Sequence, residues 1–267
     1  MNVIFSVRSH KGNTRGNNED NLFAAGIMLL PEFCDRPFSV DASVPAPVVL
    51  AVCDGMGGEK RGELASRIAV IKLTELQKTI IDTSPKEMNR VVQAYIEAAN
   101  YEISAYGVRS GTTIALAVIT EKGVYCFNVG DTRIYCLQSG MFTQVTNDHT
   151  QGAEIARSGI IPMEQARQSK SGNKLTRCIG FGNCYNMDSY PAIKGKCRLL
   201  LCSDGLTDMV SDLEIKKILS DTDGTSDAAE QLLQLALNNG GKDNVTVIAA
   251  DISHNSFSDR IIKNFRR

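Results

Sequence analysis

Residues Pro47 to Gly58, Pro-Val-Val-Leu-Ala-Val-Cys-Asp-Gly-Met-Gly-Gly, pass without a break from an apolar stretch into a carboxylate and a cluster of glycines. An apolar run this short, rich in Val and closed by Gly, predicts a buried strand with Asp54 at its end, where the backbone turns. Gly55, Gly57 and Gly58 remove Cβ atoms at the bend and leave backbone carbonyls accessible to a cation or ligand. Alone, the stretch reads equally as a metal-binding aspartate or as a strand closed by an Asp-Gly turn. The pattern recurs: Leu199-Leu-Leu-Cys-Ser203 ends in Asp204-Gly205, and Asp243-Asn244 opens the apolar run Val245 to Ala250.

Composition narrows the partners. A chain of 267 residues, 43% hydrophobic and 22% charged, can bury a large core in one domain or two. Its net charge of -1 and pI near 6.3 provide no sequence-wide basic field, which argues against nucleic acid as a main partner. Met1 to Asp20 lacks a signal-type apolar core, and no apolar run approaches the roughly 18 residues of a membrane span. The expectation is a cytoplasmic protein without membrane attachment, acting as a monomer. The eight cysteines show no CxxC pairing, and Cys53, Cys126, Cys136, Cys197 and Cys202 lie in or beside strand-like runs. Buried free thiols fit better than disulfides. His10, His149 and His254 are scattered, so zinc ligation is not expected.

Along the chain, Val3 to Val7 is a strand candidate, followed by a polar loop carrying Arg15, Glu19 and Asp20. Arg15 is by default a solvated cation, but beside two acids it could also clamp a phosphate. A second strand is predicted from Asn21 towards Leu29. Leu30 to Pro47, with four of the seven prolines, reads as an exposed loop. Leu64, Ile68, Ile71, Leu76 and Ile80 predict a helix over Gly62 to Ile81. Ser84-Pro-Lys-Glu87 has a capping-box pattern opening a second helix that ends near Tyr106 and Gly107. From Ser110 the period becomes that of strands, Thr112 to Thr120, Gly123 to Val129, Thr132 to Gln138 and Met141 to Val145, predicting one antiparallel meander. Asp131 sits between two of them, an ordinary place for a turn aspartate.

Residues 146–182 are polar and mixed, a lid or flap with short helices around Gly152 to Ser158 and Met163 to Ser169. Strands over Asn186 to Ile193 and Cys197 to Ser203 follow. Ser211-Asp-Leu-Glu214 is a second capping box, and Asp227 to Asn238 is a last amphipathic helix. Residues 1–252 then form the folded domain, and 253–267 a short, mildly basic tail.

Asp54, Asp204 and Asp243, joined by Asp20 and Asp131, all sit where buried strands meet turns. Carboxylates gathered at one end of a sheet repel one another unless cations are bound. Oxygen ligands without His or thiolate select hard ions, magnesium or manganese. Two such ions, bridged by a carboxylate and roughly 3.5–4 Å apart, can activate a water between them, and phosphoester hydrolysis is the natural reaction.

In order and over nearly the whole chain, these residues resemble the PPM, or type 2C, metal-dependent protein serine/threonine phosphatases. The matching segments are Arg15-Gly-Asn-Asn-Glu-Asp20, Val52-Cys-Asp-Gly-Met-Gly-Gly58, Ser110-Gly-Thr-Thr113, Asn128-Val-Gly-Asp-Thr-Arg-Ile-Tyr135, Val145-Thr-Asn-Asp-His149, Leu175-Thr-Arg-Cys-Ile-Gly180, Cys202-Ser-Asp-Gly-Leu206 and Asp243-Asn-Val-Thr-Val247. Each is weak singly, but eight in register are not coincidence. The resemblance implies an α+β fold, a four-layer α-β-β-α sandwich in which helices flank two central, mainly antiparallel β-sheets.

The same resemblance implies hydrolysis of phosphoserine and phosphothreonine by direct attack of a metal-bridging hydroxide, with no phosphoenzyme. Asp54 would bridge two Mn2+ or Mg2+ ions, the Gly55 carbonyl would bind one, and Asp204 and Asp243 would complete the other. Glu19 and Asp20 would hold metal-bound waters, Arg15 would bind the substrate phosphate, and Asp131 with Asp204 would form a third, weaker ion site. Substrates would be phosphoproteins, opposing a serine/threonine kinase in signalling. Met56 stands where many eukaryotic members carry a histidine proposed as the acid for the leaving group. Methionine there favours a bacterial-type member and leaves that proton to a metal-bound water. A silent pseudophosphatase should lack a ligand, and none of the expected carboxylates is missing. A hydrolase of small phosphate esters would share the same site residues.

Overall fold

The computed structural model describes residues 1–57, 62–106, 110–159, 162 and 172–253. One six-stranded sheet runs in the order β11 (Met141–Gln144), β10 (Arg133–Gln138), β13 (Cys197–Cys202), β14 (Val245–Ser253), β1 (Asn2–His10) and β4 (Phe38–Pro45). The second runs β12 (Asp188–Ser189), β9 (Gly123–Val129), β8 (Ile114–Thr120), β5 (Val48–Cys53), β2 (Asn21–Ala24) and β3 (Ile27–Met28), and β6 (Gly55–Gly57) pairs with β7 (Ser110–Thr112). All neighbouring strands are antiparallel. Helices α1 (Gly62–Thr79) and α2 (Met88–Ala105) cover the second sheet, and α5 (Asp212–Asp221) and α6 (Thr225–Asn238) cover the first. The short α3 (Gln151–Arg157) and α4 (Asp204–Thr207) lie near the strand ends. This is the expected α-β-β-α sandwich.

Every residue of β5 is buried, because the strand is covered on both faces. Leu50 and Val52 point into the layer between the sheets with Phe5, Leu199 and Ile248, while Val49 and Ala51 face α1 and α2 with Leu73, Ile96 and Leu116. A third apolar layer, including Tyr135, Leu200, Leu232 and Val247, joins the first sheet to α5 and α6. Each such fully buried aliphatic side chain stabilises the fold by about 1.5–3 kcal/mol. The apolar run that predicts β5 is therefore also what fixes Asp54 at its end.

Several expectations need correction. The strand expected from Asn21 to Leu29 is a hairpin of β2 and β3, turned at Ala25 and Gly26, both in the left-handed region. Residues 30–47 are not simply loop: β4 pairs along β1, with Phe38, Val40, Ala42 and Val44 half-buried and Ser39, Asp41 and Ser43 exposed. That alternation is in the sequence, and the prolines around it mark an edge strand. Ile71 is 52% exposed, because α1 packs through Ala65, Ala69 and Leu73, and Ile71 stands two positions from both Ala69 and Leu73, on the opposite side.

Ser84 does not cap α2. Its hydroxyl bonds the Glu87 carboxylate, and the helix starts after a turn at Met88 without a side-chain cap. Ser211 and Glu214 do form the reciprocal capping box of α5. The strand expected over Asn186 to Ile193 reduces to β12 and a single bridge between Val124 and Ile193. The expected helix over Met163 to Ser169, Gly58, Gly107 and tail residues 254–267 lie outside the described residues. Among the described residues no helix is long and apolar enough to cross a membrane.

The meander correction matters most for the site. Strands β8 and β9 belong to one sheet, β10 and β11 to the other. The Gly130-Asp131-Thr132 link therefore crosses between sheets, and strand alternation alone could not reveal this. It places Asp131 over the seam that Asp54 and Asp204 approach from opposite sheets.

Candidate active site

The carboxylates collect at one end of the sandwich. Asp54 follows β5 and Asp131 follows β9 in one sheet, while Asp204 follows β13 and Asp243 precedes β14 in the other. With antiparallel neighbours, those strand ends share one edge. A cavity of about 250 Å3 there is lined by Arg15, Glu19, Asp54, Gly55, Met56, Thr113, Asp131, Asp204 and Asp243, among others. A second cavity of about 440 Å3 adjoins it across Asp131, Asn173 and Asp204 and extends to Arg133, Asp148 and Lys242.

Backbone contacts hold each acid in place. The Asp54 carbonyl accepts from the Thr113 N–H and the Thr112 hydroxyl, both at 2.9 Å, and the Asp54 N–H donates to Thr113 Oγ1 at 3.1 Å. These bonds leave its carboxylate for the cavity. The glycine after each aspartate has a steric purpose beyond turning. A Cβ on Gly55 would lie 2.2 Å from the Gly62 carbonyl oxygen, and one on Gly205 would lie 2.0 Å from that of Asn244. In both Asp-Gly pairs a second backbone crosses where a side chain would stand.

Asn244 attaches the Arg15 loop to Asp243. Its Oδ1 accepts from the Glu19 N–H, and its Nδ2 donates to the carbonyls of Lys11 and Asn17. The Thr14 hydroxyl adds a bond to the Lys242 carbonyl at 2.6 Å. Arg15 thereby reaches the cavity wall, where Nη2 donates to Asp243 Oδ2 at 2.5 Å. One donor of five is so engaged, and the guanidinium is half exposed. Asp20 stands behind the wall, 2% exposed, with Oδ2 accepting from the Ser203 hydroxyl at 2.7 Å.

The electrostatics are those of crowded like charges. Burial, then Asp204, Asp20 and Asp131, push the Asp54 carboxyl well above the usual range. Asp131 is raised by burial, then by Asp204 and Asp148. Asp20 is pushed up to about 7 by burial, against hydrogen bonds from Ser203 and Thr246. Asp204 is pushed to about 6 by burial, Asp208 and Asp243. Glu19 is raised by burial, with Arg15 opposing. Such a cluster favours binding of cations.

Among the described residues no three His, Cys, Asp or Glu side chains close on one point as a ready cage. The acids instead ring the cavity, an arrangement suited to a hard ion that takes one or two carboxylates and keeps several waters. The donor set, oxygen only, fits magnesium or manganese and not zinc.

The sequence profile described as protein phosphatase 2C matches residues 25–245. The chain belongs to the protein phosphatase 2C family. It is 33% identical over 252 residues to a serine/threonine phosphatase, stp, of Listeria innocua, covering 91% of this chain and 94% of that one. Its structure is similar to the Mycobacterium tuberculosis serine/threonine phosphatase PstP, with TM-score 0.79 and 29% identity over 95% of this chain and all of that one. A PstP catalytic domain in complex with two manganese ions superposes with TM-score 0.76 at 29% identity, covering 95% of this chain and 100% of that one.

This protein serine/threonine phosphatase thus carries Arg15, Glu19, Asp54, Gly55, Asp131, Asp204 and Asp243 on one cavity, with Asp20 behind it. In the sequence, Thr113, Ser203 and Asn244 stand out only as motif letters. Their work is to hold the acids by hydrogen bonds to backbone or carboxylate, which residue type alone does not disclose. His149, not expected as a zinc ligand, proves to touch the Asp131 corner.

Proposed function

We propose that this phosphatase releases phosphate from phosphoserine and phosphothreonine in proteins, with divalent cations held by Asp54, Asp204, Asp243 and the Gly55 carbonyl. The observation that carries this reading is the convergence of four aspartates from two sheets on one cavity beside Arg15. When bound, two such ions supply Lewis acidity and an activated water, and a further ion would be taken by Asp131 and Asp204. Glu19 would hold water from the cavity wall, and Asp20 would do so from behind Ser203. Arg15 orients the phosphate through a fork of donors matched to its oxygens. Met56 borders the cavity and has no proton to give.

We take residues 1–252 as one catalytic unit that includes residues 146–182 as a flap beside the site. All eight cysteines are free, seven of them buried, in keeping with a reducing cytoplasm. The substrates are then phosphoproteins made by kinases acting on serine and threonine.

Purified protein with manganese is expected to release phosphate from a phosphothreonine peptide and from an aryl phosphate, and a chelator to stop both. Protein that binds manganese yet turns over neither would be a pseudophosphatase, and turnover of the aryl phosphate alone would favour small esters. Arg15→Ala should raise KM for the peptide about 10- to 100-fold, the size of a charge-assisted hydrogen bond, with a smaller change in kcat. Unchanged KM in steady-state assays would remove Arg15 from phosphate binding.

A further inference from the structure

The Gly130-Asp131 corner is held from three sides, and one holder has no role in the reaction as described so far. Gly130 adopts φ +101°, and a Cβ there would lie 2.5 Å from Thr113 Cγ2, so the corner is pressed against the residue that holds Asp54. Its carbonyl accepts from the His149 N–H at 3.0 Å and from Asn128 Nδ2 at 3.1 Å. Its N–H donates to His149 Nδ1 at 3.0 Å. His149 therefore grips the peptide groups on both sides of Gly130, immediately before Asp131.

Accepting at Nδ1 fixes the tautomer, so the ring proton sits on Nε2 and is donated to Asp188 Oδ2 at 3.1 Å. Arg177 Nη1 holds the other Asp188 oxygen at 2.7 Å. The His149 carbonyl accepts from the Thr176 N–H, and Thr150 bridges to Leu175. His149 is fully buried. It thus joins the described base of the flap, residues 172–177, to the corner that carries Asp131.

We propose that His149 is a positioning residue: in its Nε2-protonated form it locks the Gly130-Asp131 corner and so aims the Asp131 carboxylate at a metal ion. This rests on the reading of Asp131 as an ion ligand. It acts as the orienting partners of metal ligands generally do, through the backbone in this case.

Two isosteric variants test it. His149→Asn keeps an acceptor near Nδ1 and loses the Asp188 bond, whereas His149→Gln keeps a donor near Nε2 and loses the Gly130 bond. Each deletes one side-chain hydrogen bond, so a merely structural role predicts equal effects. Manganese binding to the whole chain, followed by the electron paramagnetic resonance of free Mn2+, should lose its weakest step in Asp131→Asn. His149→Gln should weaken that step about 10- to 100-fold, and His149→Asn much less.

Equal binding by both His149 variants, with Asp131→Asn altered, overturns the proposal alone. Unaltered binding in Asp131→Asn overturns the Asp131 reading and the proposal with it. If His149→Gln does not fold, imidazole 15N shifts of the wild-type protein decide: an unprotonated Nδ1 is expected, and a protonated Nδ1 overturns the proposal.

Discussion

Asp54→Asn or Asp204→Asn is expected to abolish phosphate release, by about 10³-fold or more, while leaving the metal-free protein at least as stable as wild type. The two effects have opposite signs because they have one cause. Asp54 is surrounded by Asp204, Asp20 and Asp131, each of which disfavours its charge. An amide of the same shape removes that repulsion and keeps the backbone bonds to Thr112 and Thr113, which do not use the side chain. It also removes the anionic oxygens that a cation needs. The site stores destabilisation for function. Kinetics with manganese, beside thermal melts in chelator at pH 8, check both halves. Retained activity would end the assignment of Asp54 or Asp204 as metal ligands, and a clear fall in metal-free Tm would make the lost activity a folding defect.

How much of the fold and site is legible in the sequence depends on which physical scale carries the signal. The apolar runs at Val48 to Cys53 and Leu199 to Cys202 are one-dimensional signals of burial on both faces, and they locate the aspartates at the strand ends. The order of the motifs locates the fold and the acids that line the cavity. What fails is whatever depends on where a segment goes after it turns. The alternation of β10 and β11 resembles that of β8 and β9, yet the Gly130-Asp131 link carries the chain to the other sheet. Period two reports burial and not the partner strand. Prolines hide β4 although Phe38, Val40, Ala42 and Val44 alternate, because an edge strand tolerates the same residues that punctuate a loop. The Ser84 box fails because the Glu87 N–H bonds the Ser84 carbonyl in a turn, so the helix opens only at Met88, beyond the reach of the Ser84 hydroxyl. His149 is invisible for a different reason: its partners are a backbone amide and Asp188, 39 residues away, and no spacing rule links them.

Removing the metal is expected to lower Tm more at pH 8 than at pH 5. In the metal-free fold Asp20 titrates near 7 and Asp204 near 6, against 3.8 for an ordinary aspartate, and Asp54 and Asp131 are also raised. Between pH 4 and these raised values the native state binds more protons than the unfolded chain. The slope of stability with pH is then negative, so metal-free stability falls from about pH 4 through pH 7 and does not recover above it. Every tenfold gain in proton affinity on folding is worth about 1.4 kcal/mol, so the loss between pH 5 and pH 8 amounts to several kcal/mol, on the order of 10 °C in Tm for a chain of this length. His10 and His149 act the other way: burial lowers both, so their contribution is present above pH 6.5 and lost as pH falls through the lowered values. The His10 contribution is common to the loaded and metal-free protein and cancels in their difference, whereas an ion at the Asp131 corner would favour the neutral His149 ring that holds Gly130 and so widen the gap in the same direction. Manganese neutralises the carboxylate cluster, so the Tm gained on adding it should widen from pH 5 to pH 8. Calorimetric scans with and without chelator across that range read the gap directly. A gap that narrows towards pH 8 would mean that the buried aspartates are not where the cations act.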